Sequence, residues 1–314
     1  MGYSGCQTGS SGLISTCKIL VVSTRPKQWT KNLMIFFPLF FTIGTKWNVS
    51  DPATALTLIG KATVAFLLFI AASGAVYLIN DLLDIEPDRH HPKKRLRPLA
   101  SGRLSIKTAI SLAIVLSILS LGFSFILEPL FGWITLGYLL VMTMYSILLK
   151  KLVLVDVLTI SGGFILRVVA GATALQAPIS PWLYSCTGLG ALLIVLSKRR
   201  NELITAGGNA NKQRKTLNWY SKSALDRFIL IIAISTLIAY TIYTFTSSNL
   251  PENHSMALTV PLVTYGISRY VYLVRFKNVG EDPENIFIKD GPLLLSVVIW
   301  LITASAILTF SSIQ

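Results

Sequence analysis

Charge is scarce in this 314-residue chain: Asp, Glu, Lys and Arg make up 13% of it, about half of the roughly 25% found in an average soluble domain. Acids are scarcer still, at 14 against 28 basic residues, for a formal net charge of +14. That shortage, together with 53% hydrophobic residues and a mean hydropathy of +0.63, excludes a soluble globular enzyme, a disordered tail and a nucleic-acid binder. In a water-soluble chain the basic excess would point to nucleic acid; here it has to sit in membrane loops, close to anionic headgroups or an anionic substrate. Cysteine is almost absent: Cys6, Cys17 and Cys186 are too few and too scattered for a disulfide framework or a zinc site. There is no Gly-x-Ser-x-Gly elbow, P-loop, His-Glu-x-x-His pair or cofactor-binding glycine fingerprint either.

What is there in abundance is long apolar runs. A bilayer core needs about 20 apolar residues per helix, and residues 53–79, 105–127, 130–149, 152–177, 182–196, 228–246, 256–274 and 293–310 qualify. A shorter run, 33–45, extends backward through Trp29 to make a first span. None of these runs alternates polar with apolar residues, which argues against a strand barrel. The expected fold is all-α, a multi-pass transmembrane bundle of about nine helices. Residues 1–24 read as a polar, disordered N-terminal segment and 25–314 as one catalytic domain. Residues 1–17 lack a basic region followed by an apolar core, so they do not read as a signal peptide.

Of the 28 basic residues, 25 fall in the N-terminal segment, in every second connection after it, or in the spans adjoining those connections. The positive-inside rule then places the N-terminus in the cytoplasm and the C-terminus outside. The regular alternation supports nine spans.

Ionisable residues at the mouth of a membrane helix are costly and mark function. One cluster dominates, from Asn80 and Asp81 through Asp84 and Glu86 to Asp88 and Arg89. At about 100° per residue, Asn80, Asp84 and Asp88 stay on one stripe with Asp81 at its edge. Several oxygen ligands on one stripe suit Mg²⁺, which takes a few carboxylates and completes its shell with water and substrate phosphate. Pro87 is expected to kink the helix there. The competing reading is a solvated acidic helix end.

A dense basic run follows, Lys93, Lys94, Arg95 and Arg97 before Pro98. Placed after a carboxylate stripe it suits a polyphosphate, the metal bridging oxygens and the guanidiniums neutralising the remaining charge. Arg95 and Arg97 are the candidates for ligand contact, although membrane topology alone explains part of the run. The basic segment 25–32 around Trp29 reads as a membrane-surface anchor. Asp156 and Arg167 share a helix face about 16 Å apart, too far to pair, so each must face the interior or a wet cavity. Glu202 is either a helix partner of Lys198 or a further acidic contact to the metal-phosphate cluster. Glu281, Asp282, Glu284 and Asp290 read as a solvated acidic patch.

With these residues assembled, the chain resembles the UbiA superfamily of intramembrane prenyltransferases. The carrier is Asn80-Asp81-x-x-Asp84-x-x-x-Asp88, similar to that family's first Asp-rich motif at the end of its second helix. Members that prenylate aromatic rings carry a second Asp-rich motif after the sixth span, where this chain reads Ser197-Lys198-Arg199-Arg200-Asn201-Glu202. That departure resembles the decaprenyl-phosphate phosphoribosyltransferase branch. Arg25-Pro26-x-Gln28-Trp29-x-Lys31-Asn32, Lys94-Arg95-x-Arg97-Pro98, Lys150 with Asp156, Arg167 with Gly171, and Asp282-Pro283-Glu284 before Asp290 resemble it too.

The resemblance implies a Mg²⁺-dependent transfer of 5-phosphoribose from phosphoribosyl diphosphate (PRPP) to a polyprenyl phosphate. The product is a precursor for cell-wall arabinan. It implies metal ligands Asn80, Asp81, Asp84 and Asp88, with the three aspartates catalytic. It also implies substrate contacts among Lys31, Arg95, Arg97, Lys150, Asp156, Arg167, Lys198, Arg199 and Glu202. The setting is a bacterial-type plasma membrane with the site facing the cytoplasm, no nucleic-acid partner, and room for a homo-oligomer. Two other classes stay open: an aromatic polyprenyltransferase using a prenyl diphosphate, and a non-enzymatic lipid transporter or lipid-binding membrane protein.

Overall fold

The computed structural model describes residues 9–48, 50–90, 92–178, 180–206, 215–247, 250–277, 286–287 and 289–311. Among them there is no β-strand, only an isolated bridge between Ile43 and Trp47. The helices are α1 (Gly9–Ser23), α2 (Phe37–Phe41), α3 (Pro52–Leu83), α4 (Ile85–Arg89), α5 (Ile106–Leu127), α6 (Pro129–Ile147), α7 (Val155–Leu175), α8 (Pro181–Ala206), α9 (Lys222–Thr246), α10 (Val260–Phe276) and α11 (Gly291–Ser311). Among the described residues seven helices have the length and apolar composition to cross a membrane: α3, α5, α6, α7, α9, α10 with its preceding 3₁₀ turn, and α11. The 26-residue α8 is about 39 Å long at 1.5 Å per residue, which also suffices.

The contacts group the chain into two compact units, Met1–Leu33 with Thr63–Ile147, and Met34–Ala62 with Leu148–Gln314, where the sequence suggests one domain from residue 25. In the first unit α5 packs on α6. The face that α5 buries is small, Ala109, Ala113, Ser120 and Ser124, while Ile110, Ile114, Ile118, Phe123 and Ile126 are exposed. A helix with small residues inside and large apolar ones outside is built for lipid, where close backbone approach replaces the hydrophobic drive of water. Ser105 caps α5 by accepting the Thr108 N–H at 3.1 Å, satisfying one orphan donor of the first turn.

In the second unit α8 packs on α7 and α9, and α10 packs on α9 and α11. Gly171 of α7 lies against the Ile35 carbonyl, where any Cβ would collide with backbone. Lys46 donates to the carbonyls of Leu175, at 2.7 Å, and Gln176, placing a cation on the C-terminal end of α7, where the helix dipole favours one.

Three sequence expectations change. Residues 9–23 are helical rather than disordered, with Ile19 and Leu20 packed on a core around Leu78, Leu99 and Leu104. Residues 33–45 are not one spanning helix: a 3₁₀ stretch, Pro26–Phe36, passes into the five-residue α2, and the chain then turns through Gly44 at φ 84°. The apolar run has no uninterrupted helix of bilayer length. Finally, the break near Pro87 falls at Asp84, between α3 and α4. In a continuous helix the Pro87 ring would clash with the carbonyl four residues earlier, that of Leu83; ending α3 at Leu83 leaves Pro87 in the first turn of α4, where a missing N–H is tolerated.

Candidate functional site

The acidic stripe survives that break. The Asp84 N–H still bonds the Asn80 carbonyl at 3.0 Å and the Asp88 N–H bonds the Asp84 carbonyl at 2.9 Å, so the four-residue stagger runs from α3 into α4. At 32 residues α3 is about 48 Å long, more than the roughly 30 Å hydrocarbon core, so it reaches beyond the apolar layer.

Asp81 and Asp88 are buried, at 4% and 3% exposure. Both face Arg97, whose Nη1 lies 3.1 Å from Asp81 Oδ1 and 2.5 Å from Asp88 Oδ2. Asp81 Oδ1 also accepts from Arg25 Nη2. The Arg25 guanidinium rests over the Tyr77 ring, 5.0 Å from its centroid, and its backbone is left-handed at φ 56°, an uncommon conformation for a residue with a side chain. Two carboxylates withdrawn from water thus converge on one cationic nitrogen, with a second guanidinium behind. Asn80 and Asp84 are half-buried beside them, and Arg95 is exposed on the adjoining turn. Lys31 is half-buried, and its neighbour Asn32 donates to Ser73 Oγ at 3.1 Å.

Among the described residues no three His, Cys, Asp or Glu side chains stand close enough together to hold a metal ion. The donor chemistry nonetheless fits one. Asp81 and Asp88 are hard oxygen donors already gathered round a single positive centre, and Mg²⁺ needs no more than one or two protein carboxylates when phosphate and water complete its shell.

The second unit holds its own ionic cluster. Arg199 Nε and Nη2 lie 2.9 and 3.3 Å from the two oxygens of Asp156, and Arg199 Nη1 lies 2.5 Å from Glu202 Oε2. Glu202 therefore pairs with Arg199, three residues back. Arg167 is buried, donates to the Gly163 carbonyl at 2.7 Å and lies 5.5 Å from the Phe164 ring centroid; it and Asp156 both face inward, as their separation requires. Lys150 is half-buried and Lys198 exposed. Glu281, Asp282 and Glu284 lie outside the described residues. Asp290 pairs with Arg269, Nη2 to Oδ2 at 2.9 Å, and accepts the Leu293 N–H at the start of α11.

Sequence reasoning missed Arg25 and Arg200. Arg25 stood in a basic stretch that reads as a surface anchor; the signals that set it apart are the following proline, which restricts its backbone, and its place at the head of the Arg25-Pro26-x-Gln28-Trp29 segment. Arg200 stands in the triplet Lys198-Arg199-Arg200, of which only the first two are expected substrate contacts. It is almost wholly buried, with Nε 2.5 Å from Asp226 Oδ1 and its other nitrogens on the Val274 and Arg275 carbonyls at 2.9 and 3.1 Å, tying α8 to α9 and to the end of α10.

Comparison with known proteins bears on this arrangement. The UbiA prenyltransferase family matches residues 33–289. A decaprenyl-phosphate phosphoribosyltransferase of Mycolicibacterium smegmatis is 32% identical over 302 residues, covering 93% of each chain. Its counterpart from Corynebacterium glutamicum is 29% identical over 286 residues, covering 90% of this chain and 84% of that one. A solved UbiA homolog from Archaeoglobus fulgidus, bound to GPP and Mg²⁺, shares the fold at a TM-score of 0.70 and 16% identity, over 92% of this chain and 99% of that one.

Proposed function

The chain belongs to the UbiA prenyltransferase family, and from that membership we propose that it transfers 5-phosphoribose from PRPP to a polyprenyl phosphate, releasing diphosphate, in the supply of cell-wall arabinan precursors. It is an integral membrane transferase. The observation that carries the reading is the buried Asp81–Asp88 pair gathered round Arg97, next to a basic turn. The decaprenyl-phosphate phosphoribosyltransferases that align along nearly its whole length support the choice of substrates.

Asp81, Asp84 and Asp88, with Asn80, would hold Mg²⁺. When bound, the ion supplies Lewis-acid stabilisation of the charge that develops on the leaving diphosphate. The rest falls to the chain's own side chains. Arg95, Arg97 and Lys31 bind phosphate oxygens and fix the anomeric carbon for attack. A lipid phosphate is already an anion at neutral pH, so it needs no strong general base, and its attack opposite the departing diphosphate inverts the anomeric centre. The work is positioning and electrostatics. Lys150 and Lys198 remain candidates for the 5-phosphate or the lipid phosphate. Asp156, Arg199 and Glu202 hold one another, and with Arg167 we assign them to fixing α7 and α8. The basic loops and this site face the cytoplasm.

The test is incubation of membranes containing the protein with labelled PRPP, polyprenyl phosphate and Mg²⁺, against a prenyl diphosphate and an aromatic acid. Transfer is expected only with the first pair. Asp84→Asn is expected to abolish Mg²⁺-dependent diphosphate release in a protein that still folds. Product from the second pair alone sinks the reading in favour of prenyl transfer. Turnover with neither pair sinks it in favour of a lipid carrier.

A further inference from the structure

We propose that Arg97 is a placeholder for the divalent cation: without substrate its guanidinium occupies the Asp81 and Asp88 carboxylates, and the metal enters only together with the diphosphate, which takes the guanidinium over. The inference rests on the metal reading above and adds an order of binding to it.

Three observations support this. First, one nitrogen of Arg97 reaches both carboxylates, at 3.1 and 2.5 Å. The guanidinium therefore takes up the oxygens a metal would need. Two buried carboxylates this close favour a cation between them, because an uncompensated buried charge is strongly unfavourable.

Second, the charges are balanced. Asp81 and Asp88 are met by Arg25 and Arg97. A divalent cation added alone leaves these four groups with two net positive charges, reduced to one by the half-buried Asp84 beside them. Added with diphosphate, its charge is offset, and the displaced guanidinium gains a bidentate phosphate partner.

Third, the two arginines are held differently. Arg25 stacks on Tyr77 and leaves a left-handed backbone just ahead of Pro26, so it is fixed behind Asp81. Arg97 rises from an exposed turn in which Lys94, Arg95 and Leu96 all face outward. Its main chain is anchored, the N–H on the Lys94 carbonyl and the carbonyl on the Ser101 N–H, both at 2.9 Å. The side chain alone can exchange partners while the turn stays in place.

The experiment uses the full chain in lipid nanodiscs, Mn²⁺ as cation probe followed by electron paramagnetic resonance, and inorganic diphosphate as anion probe, with the protein-free Mn²⁺–diphosphate signal subtracted. A site closed nine times in ten binds about tenfold more weakly. The wild type is therefore expected to hold Mn²⁺ at least about tenfold more tightly with diphosphate than without. Arg97→Gln keeps amide donors near both carboxylates and removes the charge. It is expected to bind Mn²⁺ alone at least about tenfold more tightly than the wild type, and to lose most of the gain from diphosphate. A wild type that binds Mn²⁺ equally with and without diphosphate overturns the placeholder and leaves the metal reading standing. An Arg97→Gln protein that binds Mn²⁺ alone no better than the wild type does the same. Absence of bound Mn²⁺ in every arm overturns the metal reading and this inference with it. Should Arg97→Gln not fold, the wild-type comparison decides the question by itself.

Discussion

Arg199 and Asp156 meet as a buried, two-pronged ion pair, Nε to Oδ2 at 2.9 Å and Nη2 to Oδ1 at 3.3 Å, with 3% and 0% of their side chains exposed. Breaking a buried ion pair by removing one partner typically costs about 3–5 kcal/mol, and Arg199 keeps Glu202 when Asp156 is removed. Arg199→Ala and Asp156→Ala are each expected to lower the melting temperature of the detergent-solubilised protein sharply. The double variant should cost clearly less than the sum of the two. Additive losses would show that the pair is not the unit of stability.

Glycines in α7 make a sign test. A methyl group at Gly171 collides with the Ile35 carbonyl, whereas at Gly162 nothing stands within 4 Å. Gly171→Ala is expected to destabilise by about 1–3 kcal/mol through forced backbone movement. Gly162→Ala should stabilise by up to about 1 kcal/mol through helix propensity. Thermal melts of the two variants side by side decide it; equal shifts would refute the close approach.

Arg25 fixes the orientation of Asp81 from behind, and the ring of Tyr77 fixes Arg25. Groups that orient a ligand carboxylate typically matter by about 10–100-fold. Arg25→Gln is expected to lose activity within that range in the PRPP transfer assay. Arg25→Lys should recover only part of it, because an ammonium has neither the planar fork nor the flat face for Tyr77. Full activity in Arg25→Gln would remove Arg25 from the site.

Asp290 carries a pH dependence. The Arg269 hydrogen bond, and the Leu293 N–H after it, hold its carboxyl below the usual carboxylate range. A depressed folded pKa gives stability that is fully present above the unfolded value, about 3.9, and is lost as the pH falls through the folded one. Asp290→Asn should therefore melt below the wild type at pH 7, and the gap should close below about pH 4. A gap independent of pH would show that the ion pair contributes nothing.

The long helices were legible because lipid demands unbroken apolar stretches, and 53–79 or 105–127 allow no other reading. The acidic stripe was legible for a related reason: Asp81, Asp84 and Asp88 are expensive at a membrane edge unless used. Pairings across the chain were not. Arg25 and Asp81 are joined over 56 positions and Arg200 and Val274 over 74, and no local period encodes either. Nor did periodicity reveal that 33–45 divides into a 3₁₀ stretch and a short helix. In the triplet Lys198-Arg199-Arg200 three identical-looking cations have separate fates, one exposed and two buried, and only the packing of α8 on α7 and α9 separates them.

That division changes what the finished protein shows to its surroundings. Arg167, Arg199 and Arg200 are buried, so cations of the kind that flank a span in the sequence do not all stay at the surface once the chain is folded. In the folded chain Arg199 and Arg200 are internal braces, on Asp156 and Asp226. A bilayer rich in acidic lipids therefore meets a less cationic surface than the formal +14 of the sequence suggests.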